Sequence, residues 1–232
     1  MALEIPTDSD FSLANIPFGI YSRDDDPTKA RRAGTRVGDY VVDLQTMSRS
    51  FDQDLQAIVS WDWVFSQPTL NSFAALGNDI VQKVREAVQE ILEKYVGGEV
   101  GLDDLEAFAP VQDVTMHLPM EIGDYTDFYA GQHHAERVGS MFRPNNPLMP
   151  NYKKLPVGYH GRASSILVSG SETPIYRPKG QFLDASTGEV IFDKSRKLDF
   201  ELELGCFIGR GNTHGKGVPV DEAEEYLSLI HI

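Results

Sequence analysis

Apolar residues along the chain recur with two different periods, and each predicts an element. Between Gly77 and Gly97-Gly98, Val81, Val84, Val88, Ile91, Leu92 and Tyr95 fall three and four residues apart. Lys83, Glu86, Gln89 and Glu93 occupy the intervening positions. That spacing puts one apolar stripe on a helix, capped by Asn78 or Asp79 and ended by the glycines. The stripe reads as core packing with no functional message. Upstream, residues 51–76 read as helical pieces. Pro68 stands near the start of one that runs through Leu70, Phe73, Ala74 and Leu76 and stops at Gly77. Thr35-Arg36-Val37 and Tyr40-Val41-Val42-Asp43-Leu44 flank Gly38-Asp39 and predict a β-hairpin.

The texture changes between residues 100 and 120. Leu105 to Pro110 and Met116 to Pro119 read as a linker. Beyond it come short β-prone runs broken by Gly and Pro: Leu155 to Gly158, Ser165 to Val168, Thr173 to Arg177, Glu189 to Phe192 and Leu198 to Ile208. Such spacing predicts a β-rich sandwich or roll. The fold class expected is therefore α+β and mostly β, with a domain over 1–120 and a second over 121–232.

The last run alternates strictly. On a strand, Leu198, Phe200, Leu202 and Leu204 share one face, and Asp199, Glu201 and Glu203 share the other. The bland alternative is an edge strand with its acids in water. Against it, no Thr, Lys or Ser dilutes the acidic face, and Gly205-Cys206-Phe207-Ile208 suggests that the strand runs into a core. Neighbouring carboxylates in a half-buried place stay ionised only beside a cation. Hard oxygen ligands suit Ca²⁺, Mg²⁺ or Mn²⁺.

Charge and cysteine content narrow the classes. The chain of 232 residues carries 21 basic and 35 acidic residues, a net of −14. This argues against a nucleic-acid partner or an anionic membrane surface. A single cysteine, Cys206, leaves no internal disulfide and no thiolate zinc site. Met1 to Asp10 lacks the basic and apolar regions of a secretory signal. No apolar run approaches the roughly 20 residues of a membrane span. A cytoplasmic protein is expected.

Two further segments concentrate chemistry. Glu121-Ile122-Gly123-Asp124-Tyr125-Thr126-Asp127-Phe128-Tyr129 is followed by Gln132-His133-His134. Asp127 adds a candidate oxygen ligand. His133 and His134 are candidate bases, since imidazole titrates near neutrality, and spacing does not choose between them. Gly158-Tyr159-His160-Gly161-Arg162-Ala163-Ser164-Ser165 predicts a tight turn with small residues that let the backbone approach something closely.

These motifs, with Met141-Phe142-Arg143 and Leu155-Pro156-Val157 beside them, resemble the fumarylacetoacetase family. Asp8-Ser9-Asp10-Phe11 and Gln67-Pro68-Thr69-Leu70-Asn71-Ser72-Phe73 resemble its N-terminal domain. The resemblance runs from about residue 8 to about Glu225. It implies a small SH3-like N-terminal domain, a β-rich catalytic domain and a cytoplasmic homodimer. It implies hydrolysis of 4-fumarylacetoacetate to fumarate and acetoacetate, the last step of tyrosine breakdown. Carried over by motif, Asp127, Glu201 and Glu203 are metal ligands for Ca²⁺ or Mg²⁺. His134, seven residues after Asp127, falls at the general-base position. Tyr129, Arg143 and Tyr159 fall at substrate-contacting positions. His133 stands where the family has Gln. After Glu225 the chain departs from the family pattern, which continues with a further ligand Asp, a Lys and a Glu that orients the base. The resemblance thus implies an incomplete copy, inactive or nearly so. Other readings are an oxo-acid decarboxylase or isomerase of the wider superfamily, or a non-catalytic fragment acting as a binding subunit.

Overall fold

A computed structural model describes residues 3–100, 106–170, 178–197 and 199–228. Five antiparallel strands form the main sheet: β1 (Phe18–Arg23), β2 (Arg32–Val37), β3 (Tyr40–Asp43), β4 (Phe108–Pro110) and β5 (Val114–His117), in the order β4-β3-β2-β1-β5. The expected hairpin is β2–β3, with Val37 opposite Tyr40 and Gly38 at φ +53° in the turn. Asp43 ends β3 and caps α1 (Leu44–Ser48) by accepting from the Thr46 amide. Its buried carboxylate also accepts from Tyr21 Oη at 3.0 Å. Burial, then the adjacent Asp43 charge, push the Tyr21 phenol far above its ordinary range.

The helical pieces are α2 (Gln53–Gln56), α3 (Trp61–Phe65) and α4 (Asn71–Ala74), followed by α5 (Asn78–Val96). The stripe on α5 behaves as its spacing predicts. Val84, Val88 and Leu92 are fully buried, and Val81, Ile91 and Tyr95 pack at the margin. The cap differs from expectation. Gly77, at φ +95°, is the N-cap, and neither Asn78 nor Asp79 supplies a side-chain cap because both already lie inside the helix. Phe18, Phe51, Trp61, Phe65 and Phe73 interlock as a chain of edge-on and stacked rings under the sheet.

Residues 106–117 are not a linker. Ala107, Phe108 and Ala109 are buried, the Phe108 ring meets Tyr40 and Tyr95 edge-on, and β4 and β5 close the two ends of the sheet. Their pairing partners lie some 70 and 90 positions away, so no hairpin turn announces them.

The second half is built differently. β6 (Thr126–Phe128) pairs with β7 (Gly158–His160), β8 (Lys179–Leu183) with β9 (Val190–Lys194), and β10 (Phe207–Ile208) with β11 (Leu227–Ser228). One long helix, α6 (Gln132–Phe142), joins the first pair. Among the described residues the three ribbons do not merge into one sheet. Of the expected strands, Glu189 to Phe192 falls in β9, and Leu155 to Gly158 only touches the start of β7. Ser165 to Val168 is not a strand: it follows a 3₁₀ turn over Ala163–Ser165. Thr173 to Arg177 lies outside the described residues, as does Leu198.

The alternating run needs the largest correction. Residues 199–206 have no regular structure, and Phe200, Leu202 and Leu204 are 87, 96 and 102% exposed. Alternation only makes a strand possible. A strand also needs a neighbouring edge for its backbone and a surface for its apolar face. The described residues supply neither. From Phe207 the chain returns to the first half: Phe207 packs on the core, and Gly209 lies so close to the Ala74 carbonyl that a Cβ would stand 2.9 Å from it.

Candidate active site

The site starts from strand register. Asp127 on β6 stands directly opposite Tyr159 on β7, so both side chains leave the same face. Tyr125, two residues before Asp127, shares that face. Tyr125 Oη donates to Asp127 Oδ2 at 2.6 Å, and Tyr159 Oη donates to the same oxygen at 3.0 Å. Asp127 Oδ1 has no hydrogen bond among the described residues. The glycines of the 158–161 segment make this possible. A Cβ on Gly158 would stand 2.8 Å from the Asp127 carbonyl, and one on Gly161 would collide with the Tyr125 ring. The close approach expected at this segment therefore exists, and it is to Tyr125. The expected tight turn around Tyr159-His160 is instead strand β7, because its backbone finds a partner in β6.

These hydrogen bonds hold protons on the phenols. The bond to Asp127 is the main reason the Tyr125 phenol is pushed up to about 12, with burial and the charges of Asp127 and Glu203 adding to it. Tyr159 is raised for the same first reason, with Glu201 and Glu203 contributing. Both remain donors throughout the neutral range. Replacing Asp127 by Asn is expected to bring the Tyr125 titration down from about 12 towards roughly 10. A ring-carbon NMR titration reads this directly, and an unmoved Tyr125 would show that Asp127 is not the cause.

Helix α6 brings the imidazole. Its buried face is Ala135 and Gly139, four residues apart, and Gly139 lies against the Pro147 carbonyl with no room for a Cβ. That seat fixes the helix, and His134 on its first turn then points to the carboxylates. Tyr129 steadies the ring: its own ring meets His134 edge-on at 5.4 Å, and its backbone is tied by Tyr129 N–H to Val157 O at 2.8 Å and by Tyr152 Oη to Tyr129 O at 2.9 Å. His134 Nε2 lies 3.0 Å from Glu201 Oε1. One ligand atom from each of His134, Glu201 and Glu203 lies within 4.8 Å of the other two, a possible cation site. Two carboxylates and one imidazole suit a hard or borderline divalent ion.

The structure thus brings His134, Glu201 and Glu203 together with Tyr129 against the imidazole, while Asp127 pairs with Tyr159 and Tyr125 and is not part of that three-residue group. His134, and not the exposed His133, faces the carboxylates. Arg143 stands apart: it is the C-cap residue of α6, and its guanidinium donates to the Pro147 carbonyl at 3.0 Å. Tyr125 is the residue that sequence reasoning passed over. The signal was present, since it is two positions from Asp127 in a β-prone run, but nothing local shows that its phenol meets the carboxylate.

Comparison with known proteins places both halves of the chain in one family. Residues 14–119 match the family described as fumarylacetoacetase N-terminal, and residues 124–232 match fumarylacetoacetate hydrolase C-terminal. The fumarylacetoacetase of Aspergillus fumigatus is 49% identical over 97% of this chain and 54% of its own length. The fumarylacetoacetase of Homo sapiens is 42% identical over 97% and 53%, and that of Bos taurus 42% over 96% and 52%. The chain belongs to the fumarylacetoacetase family. It spans about half the length of the curated relatives it matches. No helix among the described residues is long and apolar enough to cross a membrane.

Proposed function

We propose that this site serves hydrolysis of the carbon–carbon bond of 4-fumarylacetoacetate, giving fumarate and acetoacetate. The observation that carries the reading is the contact of His134 Nε2 with Glu201 Oε1, with Glu203 in the same cluster. In the tautomer with hydrogen on Nε2, the imidazole donates to Glu201 and leaves Nδ1 as the basic nitrogen. His134 then takes a proton from the attacking water. Tyr159, whose single O–H now goes to Asp127, would turn that proton to a substrate oxygen. Tyr129 and Arg143 complete the substrate contacts, Arg143 by turning its fork from the Pro147 carbonyl to a carboxylate.

Asp127, Glu201 and Glu203 would hold Ca²⁺ or Mg²⁺, as hard oxygen donors do. When bound, such an ion polarises the diketone and stabilises the departing enolate. Asp127 Oδ1 is the oxygen free for that role, since Oδ2 is taken by the two phenols.

The same reading gives the domains as 1–120, an SH3-like unit centred on the five-stranded sheet, and 121–232, part of a β sandwich or roll. It gives a cytoplasmic homodimer with neither nucleic acid nor membrane as partner. Hydrolysis by the 232-residue chain is expected to be slow, because Glu201, Glu203 and Tyr159 face solvent and an open site neither excludes water nor fixes the substrate. The test is loss of diketone absorbance on mixing the chain with 4-fumarylacetoacetate and Mg²⁺. A slow rate that vanishes in His134→Ala is expected. A rate equal in the two proteins would overturn the assignment.

A further inference from the structure

Two phenols converge on one oxygen of Asp127, and they are not equivalent. Tyr125 Oη lies 2.6 Å from Oδ2, and Tyr159 Oη lies 3.0 Å from it. The shorter separation is that of a strong, charge-assisted O–H···O⁻ bond. Tyr125 is also the better anchored of the two. Its side chain is half-buried, and its ring lies over Gly161, where any Cβ would collide with it. Gly161 N–H donates to Tyr125 O at 2.8 Å, so the residue that passes beneath the ring also ties its backbone. Tyr159, by contrast, is 62% exposed.

Each phenol has a single O–H to give. If Tyr159 turns its proton to a substrate oxygen, Asp127 loses one of its two donors at that moment. A carboxylate left with neither would be free to turn about its side-chain bonds. We propose that Tyr125 is a positioning residue: its hydroxyl keeps Asp127 in one rotamer, with Oδ1 left unbonded, and so frees Tyr159 to serve the substrate. Tyr125 acts through Asp127 and need touch neither substrate nor cation. The consequence for cation binding rests on the reading of Asp127 as a ligand, whereas the hold on the carboxylate does not.

Tyr125→Phe removes the hydroxyl and keeps the ring over Gly161. Three-bond NMR couplings at the Asp127 side chain, measured on the full chain without metal, test the hold. One χ1 rotamer is expected in the unaltered chain and in Tyr159→Phe, and rotamer averaging in Tyr125→Phe. Mn²⁺ binding, read by electron paramagnetic resonance, tests the consequence. It is expected to weaken about 10- to 100-fold in Tyr125→Phe, the loss that follows removal of a group orienting a metal ligand. Tyr159→Phe is expected to bind Mn²⁺ as the unaltered chain does. Once Asp127→Ala has removed the carboxylate, adding Tyr125→Phe is expected to cost nothing further, because the two residues act as one unit. The proposal is overturned if Asp127 keeps one rotamer in Tyr125→Phe, if it already averages in the unaltered chain, or if Tyr159→Phe averages it as much. A second, additive loss of Mn²⁺ affinity in the Asp127→Ala background overturns it equally, since Tyr125 would then act through something else. Mn²⁺ affinity unmoved by Asp127→Ala alone would instead defeat the ligand reading, and the rotamer couplings would still decide the hold.

Discussion

Replacing Phe65 by alanine is expected to lower the free energy of unfolding by about 3–5 kcal/mol. Phe65 is completely buried. Its ring stacks on Trp61 at 5.4 Å and meets Phe73 edge-on at 5.3 Å. Those neighbours are fixed in turn: Trp61 meets Phe51 edge-on and donates from Nε1 to Leu55 O at 2.8 Å, and Phe73 meets Phe18 on β1. Rings held from three elements cannot close over the space a deleted benzyl group leaves, so the cavity cost stays near the top of its range. Urea unfolding followed by tryptophan emission is the natural probe, because Trp61 stacks on the deleted ring. A loss below about 1 kcal/mol would mean that the aromatic cluster relaxes far more than its geometry allows. Since whole domains are stable by only about 5–15 kcal/mol, this one change removes a large share of the stability.

The aromatic cluster also shows what the sequence made legible. Helix α5 and the β2–β3 hairpin were readable because an amphipathic stripe and a two-residue turn are local signals. Val84, Val88 and Leu92 are buried wherever the helix docks. The strands β4 and β5 were not readable, since Phe108 and Val114 pair with residues far along the chain and each strand is only three or four residues long. The run from Asp199 to Leu204 shows the converse. Its alternation is complete, yet it forms no strand, because pattern supplies a face and cannot supply a neighbour.

The site divides in the same way. Asp127, Glu201 and Glu203 were candidates by chemistry, whereas the choice of His134 over His133 needed either the family resemblance or the orientation of α6. Adjacent helical residues point about 100° apart, so only the seat of Gly139 on Pro147 decides which imidazole meets Glu201. The pairing of Tyr125 with Asp127 depends on Gly161, whose lack of a side chain matters only once the ring is seen lying over it.

Exchanging Glu201 and Glu203 together for glutamine is expected to weaken divalent-cation binding by roughly 100-fold or more, at least the loss caused by removing groups that merely support a metal ligand. The substitution keeps shape and removes two negative charges. Residues 199–206 are irregular and exposed, so no core packing is touched, and the circular dichroism spectrum is expected to stay unchanged. Direct competition against Mn²⁺ measures the loss, and retained affinity would exclude these carboxylates as ligands. The single substitutions separate two duties. On the proposed reading, Glu203→Gln removes one ligand oxygen and leaves the His134–Glu201 contact, so raising the Mg²⁺ concentration is expected to restore whatever hydrolysis the unaltered chain shows. Glu201→Gln removes a proposed ligand and also the carboxylate 3.0 Å from His134 Nε2. Excess Mg²⁺ repairs only the first defect, so its rate is expected to stay below that of the unaltered chain at saturating metal. Equal rescue of both variants would mean that Glu201 holds the cation and does nothing for the imidazole.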